Sequence, residues 1–84
     1  MEKEAIRNEL KEIIDPYVME KELLGNLSDT MELINDLKIN SANIVDIVLD
    51  IEEKYDIMID DNSINQMNTV GEAIGVIETK IAEK

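Results

Sequence analysis

Apolar residues recur every three or four positions along three stretches of this 84-residue chain, which is the spacing of an amphipathic helix. The first stretch runs from Glu2 to Asp15, with most of its polar residues on the side opposite the apolar ones. Pro16 disfavours the helical conformation in the residue before it and cannot donate a backbone hydrogen bond, so we predict that the first helix ends at Asp15. Its apolar positions are Ile6, Leu10, Ile13 and Ile14.

A second helix is predicted to start near Asn40 or Ser41 and to run to about Tyr55. Its acidic residues are spaced four and three positions apart, so they line up along one strongly anionic face. These acidic residues are Asp46, Asp50 and Glu53. The apolar stripe on the opposite side consists of Ile44, Ile47, Val48, Ile51 and Tyr55, and it is widened by Val45 and Leu49.

The last helix is predicted to begin at Thr69. Thr69 and Glu72 have the spacing of a capping box, in which two side chains satisfy each other's free backbone amides. Gly71 and Gly75 each cost up to ~1 kcal/mol of helix propensity, which indicates either close packing or simple tolerance at these positions. The apolar positions of this helix are Val70, Ala73, Ile74, Ile77 and Ile81.

Two further segments are less regular. The polar run 60–63 is predicted to cap a short helical turn that carries Ile64 and Met67 inward. The connection 16–40 has enough apolar residues to lie across a bundle with one or two short helical turns, and the polar cluster 28–30 is a candidate cap for one of them. The predicted fold is all-α: a four-helix bundle with three main helices, one short helix and a long first loop.

Length and charge narrow the possible functions. A chain of 84 residues fits a single domain, residues 1–84, with a modest aliphatic core. Twenty acidic residues against eight basic ones give a net charge of −12, which would repel nucleic acid and anionic membranes and attract a basic protein surface. No stretch approaches the ~20 apolar residues of a membrane span, and the first residues do not resemble a signal peptide. We expect a cytoplasmic, monomeric protein that neither binds nucleic acid nor inserts into membranes.

The sequence contains no cysteine and no histidine. It therefore lacks thiolate metal ligands, and it also lacks the side chain that most often serves as a general base or a metal ligand near neutral pH. Its three glycines form no phosphate-binding loop, and its acidic runs lack the pattern of a calcium-binding loop. We expect no metal site and no enzymatic activity.

The most informative segment is 36–57. It contains the pair Asp36-Leu37, then Asn40-Ser41-Ala42 at the start of the acidic helix, then Glu52-Glu53 and Tyr55-Asp56 at its end. This order resembles the signature of acyl carrier proteins, in which an Asp-Leu pair, a short link and an Asp-Ser-Leu triplet open an acidic helix that ends in Glu-Glu and an aromatic-Asp pair. The segment from Ile59 to Met67 and the Thr69-Val70 opening of the last helix are also similar to that family, so the resemblance covers roughly residues 30–82.

The resemblance implies that Ser41 carries 4′-phosphopantetheine, which a phosphopantetheinyl transferase would add from coenzyme A, and that the thiol of this arm holds acyl chains as thioesters. A phosphodiester at a helix start would meet free backbone N–H groups and the positive end of the helix dipole, worth about 0.3–1 kcal/mol on an exposed surface. Without the flanking signature, Ser41 would be interpreted simply as a helix cap. The implied role is a carrier in fatty-acid, polyketide or related lipid biosynthesis, with other enzymes performing the chemistry.

The resemblance also implies two further sets of site residues. Acyl-processing enzymes with basic docking patches would bind Asn40, Ala42, Asn43, Asp46, Leu49, Asp50, Glu52 and Glu53. The acyl chain would lie in a cavity lined by Ile44, Val48, Ile59, Ile64, Met67 and Ile74. The alternative interpretation of the acidic set is a solvated helix face, and that of the apolar set is ordinary core.

Three positions depart from the family pattern. Asn40 stands where an Asp is usual, Ala42 where a Leu is usual, and Lys38 where a Gly is common. These departures indicate a specialised carrier outside housekeeping fatty-acid synthesis. They also leave open an unmodified scaffold that keeps the carrier fold and binds a basic partner, while a peptidyl or D-alanyl carrier would use the same arm for a different cargo.

Overall fold

The computed structural model describes residues 3–25 and 27–84, and the regular elements within these residues are helices. In chain order they are α1 (Lys3–Ile14), α2 (Glu22–Gly25), α3 (Ile44–Tyr55), α4 (Asp61–Asn65) and α5 (Val70–Ala82). The three main helices α1, α3 and α5 have 12, 12 and 13 residues. The predicted all-α fold is confirmed, and the long first connection contributes α2 as an additional short helix.

The first helix ends one residue earlier than its apolar pattern indicated. Helix α1 stops at Ile14, and Asp15–Tyr17 form a single 3₁₀ turn that includes Pro16. The turn closes with a hydrogen bond from the Val18 amide to the Asp15 carbonyl oxygen, 3.2 Å long. Proline at the start of this turn has no amide to satisfy, so the chain tightens there instead of continuing as an α-helix. The predicted start at Glu2 lies outside the described residues.

The core is aliphatic and lies between the three main helices and the first connection. Each main helix contributes an inward stripe at helical spacing, and the connection adds apolar anchors of its own, so burial of these side chains is the main stabilising contribution. From α1 the buried residues are Ile6, Leu10 and Ile14; from α3 they are Ile47, Val48 and Ile51; from α5 they are Val70, Ala73, Ile74, Val76 and Ile77. The connection buries Val18, Leu24, Leu33, Leu37 and Ile39.

Backbone hydrogen bonds hold the first connection across the start of α5. The Leu33 amide donates to the Asn68 carbonyl oxygen, and the Val70 amide donates to the Met31 carbonyl oxygen, both at 2.9 Å. A third bond of 2.9 Å joins the Gly71 amide to the Asp29 carbonyl oxygen. These three bonds satisfy amides of the first turn of α5 and of the connection, so segment 29–33 is fixed in place although it has no helix or strand of its own. We refer to these three hydrogen bonds as the clip.

The polar cluster 28–30 does not cap a helix, so that prediction was wrong. Instead, Asp29 Oδ1 accepts a hydrogen bond of 2.6 Å from Arg7 Nη2, and Lys3 Nζ lies 3.0 Å from Asp29 Oδ2. Hydrogen bonds from Lys3 and Arg7, together with their positive charges, hold the pKa of the Asp29 carboxyl below its ordinary value. Asp29 therefore ties α1, the first connection and α5 together, because its side chain binds α1 and its carbonyl oxygen, part of the clip, binds the Gly71 amide of α5.

Among the described residues, two that are not glycine adopt the left-handed backbone conformation: Lys38 with φ of 58° and Asp56 with φ of 55°. Asp56 ends α3, and its amide bonds to the Glu52 carbonyl oxygen. Lys38 is three positions before Ser41 and directs the chain toward the start of α3. This conformation carries a steric cost for a side chain with a Cβ atom, which explains why a glycine would be the easier residue at position 38.

Candidate functional site

Ser41 is exposed and is the first residue of a 3₁₀ turn, Ser41–Asn43, that continues directly into α3. The residue before it, Asn40, has an extended backbone, and its side-chain oxygen accepts a hydrogen bond of 2.9 Å from the Ala42 amide. The Asn43 amide bonds to the Asn40 carbonyl oxygen at 2.8 Å. The predicted helix start is thus confirmed, with a 3₁₀ first turn. Asn40 performs the capping that an aspartate would perform, but without adding a negative charge beside Ser41.

A groove of about 430 Å³ opens beside Ser41. One wall comes from the first connection, the other from α4 and the turn after it, and Ser41 and Ile44 lie between them. Its lining consists of Glu32, Ile34, Asn35, Ser41, Ile44, Ile64, Asn65, Met67 and Asn68. The clip joins the two walls, because the Leu33 amide bonds to the Asn68 carbonyl oxygen. The groove is therefore held open by the fold itself.

The six residues predicted to line an acyl-chain cavity fall into two groups. Ile44, Ile64 and Met67 line the groove beside Ser41. Val48, Ile59 and Ile74 belong to the buried core, and Ile74 has no exposed surface. Met67 belongs to both groups, because it lines the groove but is only 4% exposed. An acyl chain that follows the groove would meet Ile44 and Ile64 directly, whereas contact with the three core residues would require core side chains to move.

The outer face of α3 combines acidic and apolar side chains. Asp46, Asp50 and Glu53 are exposed, as the sequence pattern predicted. Val45 and Leu49, which were predicted to widen the apolar stripe, are 57% and 52% exposed, so they do not extend its buried part. Each follows a residue of the inward stripe by one position, which turns it about 100° away from the core. The exposed face of α3 therefore carries an apolar strip next to its acidic row.

Tyr17 covers part of this face, and no pattern in the sequence indicated it. Its hydroxyl group donates a hydrogen bond of 3.1 Å to Asp50 Oδ2. Partial burial, the hydrogen bond to Asp50 and the charges of Asp50 and Asp46 all raise the pKa of the Tyr17 phenol. Of the predicted docking carboxylates, Asp50 is thus already engaged within the molecule.

Glu52 and Glu53 are neighbours with different environments. Glu53 is exposed, whereas Glu52 is half-buried and its Oε2 accepts a hydrogen bond of 2.7 Å from the Ile59 amide. That bond closes the turn between α3 and α4. The two residues were predicted to act together in docking; in the structure Glu52 has a role in the fold, and Glu53 is the carboxylate that faces solvent. Of the remaining predicted docking residues, Ala42 is exposed and Asn43 is half-buried.

Two kinds of site are absent from the described residues, 3–25 and 27–84. These residues bring together no group of three or more acidic side chains with a geometry that could hold a metal ion. The helices among them are too short or too polar for any to cross a membrane.

Several known proteins are similar to this chain over most of its length. The acyl carrier protein of Coprothermobacter proteolyticus is 34% identical over 85 aligned positions that cover all of both chains. The acyl carrier protein of Thermotoga maritima is 30% identical over 79 positions, which cover 94% of this chain and 95% of that protein. The acyl carrier protein of Cyanophora paradoxa is 37% identical over 73 positions, covering 87% and 69% of the two chains. No family model matches the chain.

Proposed function

The chain belongs to the acyl carrier protein family, and we propose that it carries acyl groups as thioesters on a 4′-phosphopantetheine arm attached to Ser41. The observation that carries the proposal is the position of Ser41: an exposed serine at the start of the acidic helix, beside a groove, within a chain that aligns over its whole length with the acyl carrier protein of Coprothermobacter proteolyticus. When bound, the arm supplies the thiol that this cysteine-free chain lacks.

The surroundings of Ser41 suit a phosphodiester. Asn40 and Ala42 on either side are uncharged, and the 3₁₀ turn that Ser41 begins runs into the 12-residue helix α3 with its positive dipole end toward the site. The Asn40 side chain uses the Ala42 amide, so the dipole and the free hydroxyl group are what the site offers an incoming phosphate. In a chain of net charge −12, the loss of an aspartate at position 40 lowers the repulsion that a second anion would meet.

Attachment requires an enzyme in trans. A phosphopantetheinyl transferase would bring coenzyme A to Ser41, whose oxygen forms a new bond to the phosphorus next to pantetheine while the bond to the nucleotide phosphate breaks. We assign the serine proton to a base of the transferase, since this chain has no histidine. The chain itself performs no reaction in this scheme.

Partner enzymes would dock on the outer face of α3. Asp46 and Glu53 supply negative charge, and the exposed strip of Val45 and Leu49 supplies apolar contact area next to it. Charge complementarity with a basic patch speeds encounter without requiring tight binding, which suits a carrier that must release each partner in turn. Removing the charge of Asp46 is therefore expected to slow association more than it changes dissociation.

The decisive experiment is the intact mass of the protein after incubation with coenzyme A and a broad-specificity phosphopantetheinyl transferase. We expect a gain of one phosphopantetheine group, which Ser41→Ala abolishes. Ser28→Ala is the matched control, because it removes an exposed serine in the first connection and should leave the gain intact. No gain in the wild-type protein, with a transferase from the source organism as well, would favour an unmodified scaffold that binds a basic partner through α3.

Mass alone does not identify the cargo. Fatty-acyl, polyketide, peptidyl and D-alanyl carriers share the same arm, so the loaded protein must be isolated from its own cells and its thioester identified by mass. The groove residues Ile44, Ile64 and Met67 favour an acyl chain over a charged or amino-acid cargo, because their side chains offer apolar surface next to the attachment point. A peptidyl or D-alanyl thioester in that experiment would contradict the acyl assignment while leaving the arm in place.

A further inference from the structure

The groove beside Ser41 has an unusual composition for this chain. Charged residues make up 33% of the sequence, yet among the nine residues that line the groove only Glu32 is charged. Asparagine dominates its polar part instead. Of the eight asparagines in the sequence, three line the groove and two more flank Ser41 along the chain. These five are Asn35, Asn65 and Asn68 in the groove and Asn40 and Asn43 beside Ser41.

We propose that this groove is a resting site for the pantetheine arm, in which the side-chain amides of Asn65 and Asn68 hydrogen-bond the two amide groups of the arm. The inference rests on the proposed attachment at Ser41. It adds that the arm, when no partner is bound, lies against the protein between the first connection and α4 instead of moving freely in solvent.

The chemistry of the groove matches that of the arm segment by segment. Beyond its phosphate, the arm is neutral and carries a pair of methyl groups, a hydroxyl group and two amides. Each amide presents one donor and one acceptor, and an asparagine side chain presents both as well, so the two can pair in either direction. The methyl groups would meet the apolar part of the lining, which consists of Ile34, Ile44, Ile64 and Met67. An aspartate in place of an asparagine could only accept, and it would repel the phosphodiester.

The asparagines have hydrogen-bonding capacity left for a ligand. The Asn68 side-chain nitrogen donates to the Asn65 carbonyl oxygen at 3.2 Å, which orients the Asn68 side chain and leaves its oxygen as an acceptor. The Asn35 side-chain nitrogen is engaged by Glu32 Oε1. Asn65 is exposed, and its side chain makes no hydrogen bond to the other described residues. We therefore assign the arm contacts to Asn65 and Asn68, with Asn35 as part of the opposite wall.

The groove needs little rearrangement to accept the arm. Its walls are joined by the bond between the Leu33 amide and the carbonyl oxygen of Asn68 itself, so one of the two proposed arm contacts sits on a fixed backbone. A volume of about 430 Å³ lies within the range of roughly 300–1,000 Å³ that is common for small-molecule sites. Preorganisation of this kind lowers the entropic cost of holding a flexible ligand, which is the main cost for an arm with many rotatable bonds.

The test uses the modified protein with an arm labelled with ¹³C and ¹⁵N, studied by NMR. We expect contacts between arm protons and the methyl groups of Ile44, Ile64 or Met67, and arm amides less mobile than those of free pantetheine. In the double variant Asn65→Ala/Asn68→Ala the ratio of docked to free arm should fall by about fivefold for each hydrogen bond lost. Asn62→Ala is the matched control, because Asn62 is exposed in the same short helix but does not line the groove.

Two outcomes would overturn the inference: arm amides as mobile in the wild-type protein as in free pantetheine, or an equal change in the Asn62→Ala control. If the double alanine variant loses the fold, as judged by its unmodified NMR spectrum, Asn65→Asp and Asn68→Asp replace it, since they keep the side-chain shape and should expel the arm. Failure of the proposed function is distinguishable, because an unmodified Ser41 carries no labelled arm and shows no gain in mass at all.

Discussion

Two glycines one helical turn apart in α5 have opposite surroundings. A Cβ atom added at Gly71 would lie 3.0 Å from the Cβ and 3.1 Å from the carbonyl oxygen of Asp29, whereas one added at Gly75 would meet nothing within 4 Å. The Gly71 amide also donates to that same carbonyl oxygen at 2.9 Å. Gly71 is therefore required by the close approach of the first connection, and Gly75 is simply tolerated.

These distances determine how an alanine at each position should change the free energy of unfolding. At Gly75 an alanine recovers helix propensity without a new contact, so Gly75→Ala should raise the free energy of unfolding by up to about 1 kcal/mol. At Gly71 the same recovery competes with overpacking, which typically costs about 1–3 kcal/mol. Asp29 cannot move away from the added Cβ atom easily, because its carbonyl oxygen belongs to the clip and its carboxylate is held by Arg7. We expect Gly71→Ala to lower the free energy of unfolding by about 1 kcal/mol.

The assay is thermal and urea unfolding of the two unmodified variants under identical conditions. A difference of about 2 kcal/mol between them corresponds to roughly 8–16 °C in Tm for a domain of this size. The slope of the urea transition should stay constant, since neither change alters how much surface unfolding exposes. If Gly71→Ala is stabilised as much as Gly75→Ala, the close approach to Asp29 does not limit the residue at position 71.

Four further predictions concern stability. Because the folded pKa of Asp29 is lowered, its ionised carboxylate stabilises the fold above the unfolded pKa of ~3.9, and this contribution disappears as the pH falls through the folded pKa. Asp29→Asn should therefore lower the free energy of unfolding by about 1 kcal/mol at neutral pH and by much less at about pH 3. An equal loss at both pH values would contradict the ion-pair origin. Lys38→Gly should raise the free energy of unfolding by about 1 kcal/mol, because it relieves the left-handed conformation; a lower value than wild type in urea titration would refute this. Glu52→Ala should lower the free energy of unfolding by about 1–2 kcal/mol because it leaves the Ile59 amide unpaired, whereas Glu53→Ala should change it by less than about 0.5 kcal/mol. Similar values for the two variants would show that the bond from the Ile59 amide to Glu52 does not stabilise the fold. Moderate salt should raise Tm because it screens a net charge of −12, so a flat or falling Tm would show that self-repulsion is unimportant.

The ends of the helices could be predicted from the sequence because interactions between residues close together in the chain determine them. Pro16 ends α1 by its own ring geometry, and the capping box of Thr69 and Glu72 forms in the structure with both of its hydrogen bonds. Asn40 caps the turn that Ser41 begins, so the position of the candidate attachment site at a helix start also followed from short-range preferences.

The tertiary structure decided what lies between elements, since helical spacing shows which residues share a face but not how far a neighbouring element covers it. Val45 and Leu49 are exposed because none of the helices in the described part of the chain covers that side of α3, and Tyr17 meets Asp50 from a segment 33 positions away in the chain. The groove beside Ser41 likewise exists only because the clip brings the first connection against the start of α5. Contacts between residues far apart in the chain depend on how the whole core packs, and no local pattern in a single sequence contains that information.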